Sequence, residues 1–253
     1  MRLLAKIGKE LHVYDDSEFL LESCLMFDKD NFDVALDYID VLIKRQKYAK
    51  ALEEAEKLYS KDKDNLRFMI AYAVTLQQTN KQEEALELYN KILNIDKKNP
   101  EILVSKGHLQ KTFGDLKGSI DSYKNSYKID KYYGDAYWSL ANLKTYQFND
   151  EEIMQLEKMT QDEFINDNEK IYMSFALGKA FEDRGEYDKS FTNYQNGNSL
   201  KKEFTKFDLK LFDEECKNQK EVCTHDLFDS KADWGLETKE PIFVLGLPRV
   251  GST

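Results

Sequence analysis

The sequence predicts an all-α fold, a right-handed stack of helical hairpins, followed at its end by the first strand and loop of an α/β domain. Two observations predict the stack. Ile39, Ala73, Gly107 and Ala141 stand on one line at 34-residue intervals, and Ala51, Ala85 and Ser119 on a second. Asp62, Asp96 and Asp130 close successive units at the same spacing. A fixed period of this length with two helical patterns per unit marks a hairpin array. Short side chains recur in it because two helices approach closely only where side chains are small. A third observation, the change of character at Pro241, predicts the added strand.

Taken in order, residues 2–13 and 17–27 read as two short helices, the second with Leu20, Leu21, Cys24, Leu25 and Phe27 as an apolar stripe at helical spacing. In the unit Phe32–Asn65, Val34, Leu36, Ile39, Val41 and Leu42 mark the first helix; Ala51, Leu52, Ala55 and Leu58 mark the second. Leu66–Asn99 follows with Tyr72, Ala73 and Leu76, then Ala85, Leu86, Tyr89, Ile92 and Leu93. All of these are read as core. Asn99 and Pro100 mark a junction, since the residue before proline is pushed out of helix. Pro100–Tyr133 shows the template whole. The next unit opens with a helix over DAYWSLANLKTY (135–146), but Ile153 and Glu157 depart from the template in its second half. A shorter or tilted helix is expected over Asp150–Met159, then an acidic connector, Gln161–Lys170. Ile171–Lys201 restores the pattern with Leu177, Gly178, Gly185, Tyr187, Ser190, Phe191 and Tyr194. That makes about five repeats with a leading partial unit, spanning 1–202. Residues 203–240 read as one helix, Phe207–Val222, with Cys216 packed in the core, and a polar connector; 241–253 begins the further domain.

These units resemble the tetratricopeptide repeat (TPR), which has a small residue at position 8, Ala at 20 and an aromatic at 24. Tyr89 and Tyr123 fill the aromatic place.

Composition narrows the function. The 253 residues carry a formal charge of -10, which disfavours general binding to a phosphate backbone and so to nucleic acid. No apolar run approaches the ~20 residues of a membrane span, and the first residues lack a signal peptide's apolar core. Cys24, Cys216 and Cys223 have no metal-binding spacing and read as reduced, cytoplasmic thiols. His12, His108 and His225 are dispersed, so no metal site is expected.

In such arrays the first helices line the concave face, the expected place for a protein or peptide partner. Arg67, Ile70, Val74, Gln77, His108, Lys111, Tyr146 and Glu182 fall there. Trp138, Asn142 and Lys179 are the candidate groove residues, with Asn142 and Lys179 suggesting a clamp for a peptide carboxylate.

The last thirteen residues read PIFVLGLPRVGST. Ile242–Leu245 has the continuous apolar character of a strand buried on both faces. Gly246 and Gly251 then have the spacing of a phosphate-binding loop, G-x-x-x-x-G, whose backbone amides converge on an anion. Ser252 stands where a nucleoside-triphosphate loop has lysine, and the charge sits in the loop as Arg249. The segment resembles the phosphosulfate loop of sulfotransferases that use 3′-phosphoadenosine 5′-phosphosulfate (PAPS). With the repeats before it, the chain resembles the N-terminal part of a tetratricopeptide-repeat sulfotransferase. Val250 departs from that family, which usually has serine there. The resemblance implies PAPS as co-substrate and Arg249 as the catalytic charge beside the departing phosphate. It also implies that Val250, Gly251, Ser252 and Thr253 hold the 5′-phosphate, with the general base and 3′-phosphate ligands beyond Thr253. This chain alone is then expected to be cut short of its catalytic domain and inactive. The alternative is a TPR adaptor that binds a protein partner without catalysis.

Overall fold

The computed structural model describes residues 1–205 and 208–234. Two compact units divide the chain, Met1–Glu203 and Phe204–Thr253. The first is a succession of helix pairs joined by short turns. The pairs are α1 (Arg2–Glu10) with α2 (Tyr14–Phe27), α3 (Phe32–Lys44) with α4 (Tyr48–Lys61), and α5 (Leu66–Gln78) with α6 (Gln82–Ile95). Then come α7 (Pro100–Thr112) with α8 (Leu116–Ile129), α9 (Gly134–Ala141) with α10 (Asp150–Thr160), and α11 (Asp167–Asp183) with α12 (Tyr187–Phe204).

The 34-residue period has a local cause at each helix end. Asn31, Asn65 and Asn99 are 34 apart, and each side chain caps the helix that follows. They accept from Val34 N at 3.2 Å, Phe68 N at 3.4 Å and Ile102 N at 3.1 Å. Asp62, Asp96 and Asp130 turn the chain out of the second helices by accepting from the amides of Asp64, Lys98 and Tyr132. Inside the hairpins, His12, Gln46, Asn80 and Gly114 adopt left-handed φ between 58° and 80°, again 34 apart, and so reverse the chain.

Packing follows the same register. Ala51, Ala73 and Ala85 have no exposed surface, and Ser119 is equally enclosed. A Cβ on Gly107 would lie 2.5 Å from Tyr123 Cε1, and one on Gly178 2.7 Å from Tyr194 Cδ1. The aromatic at position 24 therefore occupies the space left at position 8. Its hydroxyl reaches back to the first helix: Tyr89 donates to Gln77 at 2.8 Å and Tyr194 to Glu182 at 3.0 Å. Tyr72 packs against the core on both of its sides, so burial passes from one hairpin to the next. Phe27, expected in the stripe of α2, is 84% exposed; it lies at the last turn, beyond the contact with α3.

The fifth hairpin differs from the helix expected through Tyr146. α9 stops at Ala141, and Lys144 takes φ 61°. That is four residues ahead of the left-handed position in the other units, so the first helix loses about a turn. The cause is Glu152, 8% exposed, which collects three donors. Tyr127 Oη and Tyr146 Oη lie 2.7 and 2.6 Å from Oε1, and Asn149 N lies 3.0 Å from Oε2. Asn149 and Glu152 form the capping box that starts α10. Burial works against the charge on Glu152, but hydrogen bonds from Tyr146, Asn149 and Tyr127 outweigh it and hold the carboxyl below its ordinary range.

In the second unit, α13 (Leu209–Val222) and α14 (His225–Asp229) have no buried residues. Leu209, Leu211, Phe212 and Val222 are exposed, Cys216 is half-buried and Cys223 is exposed. The expected core packing of Cys216 is thus corrected: among the described residues, the apolar stripe of α13 encloses nothing. No strand occurs among the described residues, and no described helix is long and apolar enough to cross a membrane. The expected strand and loop, with Arg249, Val250, Gly251, Ser252 and Thr253, lie outside the described residues.

Gly107→Ala should force Tyr123, which is fully buried, out of its seat. The expected loss is ~1–3 kcal/mol, read as a lowered midpoint in urea or heat. An unchanged midpoint would count against this account of how the hairpin closes.

Candidate functional site

The first helices of the hairpins touch one another directly, α1 with α3, α3 with α5, α7 with α9 and α9 with α11. The second residue of four of them is charged at one register, Asp33, Arg67, Glu101 and Asp135, 34 residues apart. Glu169 lies in the first turn of α11, about one turn ahead of that register. An acid in a helix's first turn is locally favourable, because it faces unpaired amides. These charges divide into two parts. Arg67 and Asp33 pair at 2.7 Å. Glu101, Asp135 and Glu169 have no cation partner among the described residues.

Glu169 is the best defined of the three. α9 lacks an asparagine cap, because Tyr133 stands where the earlier units have Asn31, Asn65 and Asn99. Glu169 Oε2 takes over and accepts from Gly134 N at 2.5 Å. Burial pushes the Glu169 carboxyl up, and the charges of Asp130, Asp135 and Glu101 add to it against the Gly134 hydrogen bond. Tyr133 lies within the same field: burial raises its hydroxyl, with Asp135, Glu101 and Glu169 contributing. Tyr172 is similarly raised by burial and by Asp135 and Glu169. The result is a patch of carboxylates with tyrosines among them.

One helical turn further on, Trp138 of α9 is half-buried, its ring 5.7 Å from Phe175 of α11, which in turn approaches Tyr194 at 6.4 Å. Asn142 is exposed at the end of α9. Lys179 is half-buried on α11, and its ammonium is engaged by Asp183, with Glu182 at 3.8 Å. A ligand carboxylate at Lys179 would have to displace Asp183, so Asn142 and Lys179 are not a ready-made pair of donors. His108 receives or gives a hydrogen bond with Tyr123 Oη at 2.9 Å, and burial lowers its proton affinity. A polar cleft of about 580 Å³ opens between α10, α11 and α12, where Glu157 and Glu203 face Lys170, Asn193 and Asn196. Among the described residues no group of His, Cys, Asp or Glu is placed to hold a metal ion.

The carboxylate cluster is absent from the groove residues that the sequence suggested, although its signal was present. The second position is charged in four consecutive units, Asp33, Arg67, Glu101 and Asp135, and the last two of these are negative.

Glu169 gives the patch a pH signature. Its folded carboxyl binds a proton more tightly than the unfolded one, so its contribution to stability is fully present below the unfolded value. That contribution is lost as pH rises through the raised folded value. Glu169→Gln keeps an acceptor for Gly134 and removes the charge. It should therefore melt higher than the parent near pH ~7, with the difference closing toward pH ~4. A difference that does not vary with pH would argue against the repulsive cluster.

Comparison with known proteins agrees with the fold. Residues 42–104 match the tetratricopeptide repeat family model. Over 113 residues the chain is 31% identical to a protein of Aquifex aeolicus (strain VF5) described as uncharacterized, a match covering 45% of this chain and 15% of that protein. The chain thus spans only a small part of that relative's length. Among solved structures, MamA aligns with a TM-score of 0.48 at 18% identity, over 67% of this chain and 97% of that one. A thermophilic TPR protein of Thermus thermophilus aligns with a TM-score of 0.56 at 16% identity, over 70% of this chain and 96% of that one. Residues 42–104 are tetratricopeptide-repeat sequence, and the described helices have the all-helical architecture of a TPR-like array.

Proposed function

We propose that Met1–Glu203 is an interaction scaffold that holds a basic segment of a protein partner against its first helices. The observation that carries this is the cluster Glu101, Asp135 and Glu169, carboxylates that act on one another electrostatically and have no ion pair among the described residues. Packed helices lie ~8–10 Å apart, and an extended peptide advances ~3.3 Å per residue. Lysine or arginine at every third residue would therefore meet successive carboxylates. Tyr133 and Tyr172 offer ring faces beside them, and Trp138 and Phe175 an apolar surface one turn away. Each exposed ion pair contributes only ~0.2–1 kcal/mol, so such binding is weak per contact and falls with salt.

A fluorescein-labelled peptide with lysine at every third residue tests this, against its glutamate counterpart, by anisotropy. The lysine peptide should bind, more weakly as salt is added, and Glu101→Gln with Asp135→Asn should reduce its affinity about tenfold. Equal binding of the two peptides would refute the reading.

A second reading concerns the end of the chain and rests on its sequence. Pro248, Arg249 and Gly251 favour a loop that takes the 5′-phosphosulfate of PAPS, so that the scaffold would serve a sulfuryl transferase. Its test is a protein in which this loop is followed by a complete sulfotransferase domain. Arg249→Ala should cost ~10²–10³ in transfer rate, and Arg249→Lys should cost less. An Arg249→Ala variant of undiminished rate would dismiss the reading.

A further inference from the structure

The cleft between α10, α11 and α12 has a simple origin. α10 has 11 residues and α12 has 18, whereas α4, α6 and α8 have 14 each. Both are second helices of their hairpins, so α12 runs on where α10 has ended. The space left is about 580 Å³, within the range of ligand sites. It lies between two successive hairpins, not on the end of the stack.

Its lining is left unsatisfied. Ser174 is only 4% exposed and sits against Gly197, where an added Cβ would come to 3.2 Å from its own. It nevertheless has no hydrogen-bond partner among the described residues, although no fully enclosed side-chain polar atom among them lacks one. The Ser174 hydroxyl is therefore open to the cleft that it lines. On opposite walls, the side-chain amides of Gln161 and Asn196 make no hydrogen bond among the described residues either. Leu177 and Leu200 supply the apolar surface between them.

We infer that this cleft binds an uncharged, extended polypeptide segment by its main chain. Other chemistries each meet an obstacle. An anion is opposed by Glu157 and Glu203, and a cation by Lys170. A sugar ring finds no face to stack on, since no aromatic residue lines the cleft. A hydrocarbon would strand the Ser174 hydroxyl and both amides away from water. A peptide group answers the lining as it stands, because Asn and Gln each present a donor beside an acceptor. Length agrees as well. Asn193, Asn196 and Glu203 follow one another along α12 over ~15 Å, which is about four or five extended residues at ~3.3 Å each. None of this draws on the carboxylates of the first helices.

The peptide acetyl-Ala-Thr-Val-Thr-Ala-amide is a suitable probe, being uncharged and rich in residues that favour the extended form. Titrated from about 0.1 to about 10 mM into the isotope-labelled 253-residue chain, it should shift the side-chain amide NMR signals of Gln161, Asn193 and Asn196 to saturation. Ser174→Ala and Asn196→Leu should each weaken that binding about tenfold while the rest of the spectrum stays dispersed. Glu101→Gln with Asp135→Asn should leave it unchanged, as should added salt, which separates this cleft from the acidic face of the first helices. Absence of saturation overturns the inference. So does equal saturation by maltotriose or inorganic phosphate, or a peptide affinity that neither cleft variant alters.

Discussion

In the α7–α8 and α11–α12 hairpins the spacing of the two helices is set by a tyrosine occupying the volume of an absent side chain. Tyr123 leans on Gly107 and Tyr194 on Gly178 so closely that a single Cβ would be in collision. The buried Tyr123 hydroxyl must find a partner and finds one on the first helix, at His108, while the half-buried Tyr194 makes the equivalent bond to Glu182. Close approach and polar satisfaction thus come from one side chain. The distance it fixes decides how each hairpin meets the next, since the stack has no core apart from those contacts.

The fifth hairpin, α9 with α10, closes differently. Its second helix has Glu157 where the aromatic belongs, and the chain uses a buried carboxylate instead. Glu152 binds Tyr127 from the preceding hairpin, Tyr146 from the turn and the amide that begins its own helix. A charge so enclosed is tolerable only because each hydrogen bond favours the ionised form. The consequence is a shortened α9 and a turn brought forward to Lys144. Asn142 thereby ends the helix rather than continuing along its face.

Much of this was legible in the sequence. Position 8 and position 20 mark buried sites because period and side-chain size speak for themselves, and Ala73, Ala85 and Ser119 are enclosed accordingly. The helical reading of 135–146 fails for a different reason. Its local propensity is good, but the hydrogen bond from Tyr146 to Glu152 outweighs propensity, and no spacing announces a tertiary partner. Lys179 fails more instructively, because Asp183 lies four residues on and the pairing was there to be read. The carboxylate cluster escaped because acids in first turns are ordinary at helix starts; only their proximity in the fold and the absence of an ion pair among the described residues set them apart.

Charge is distributed along the array in a way that separates two surfaces. In the first hairpins the cations of α1, α3 and α4 are spent on the chain's own carboxylates, Asp37, Asp40 and Glu18, and Arg67 closes on Asp33. This internal pairing leaves an outer side of α1 and α2 that is apolar and nearly uncharged. Further along, burial raises the proton affinity of Glu169, and the charges of Asp130, Asp135 and Glu101 add to it. That residue is held in place by its second duty, capping α9 through Gly134, so the repulsion cannot be relieved by turning the side chain into water. A fold that fixes like charges near one another stores an unfavourable energy that an incoming cation releases. The structural need for a cap on α9 thereby maintains the electrostatic condition on which the proposed binding rests.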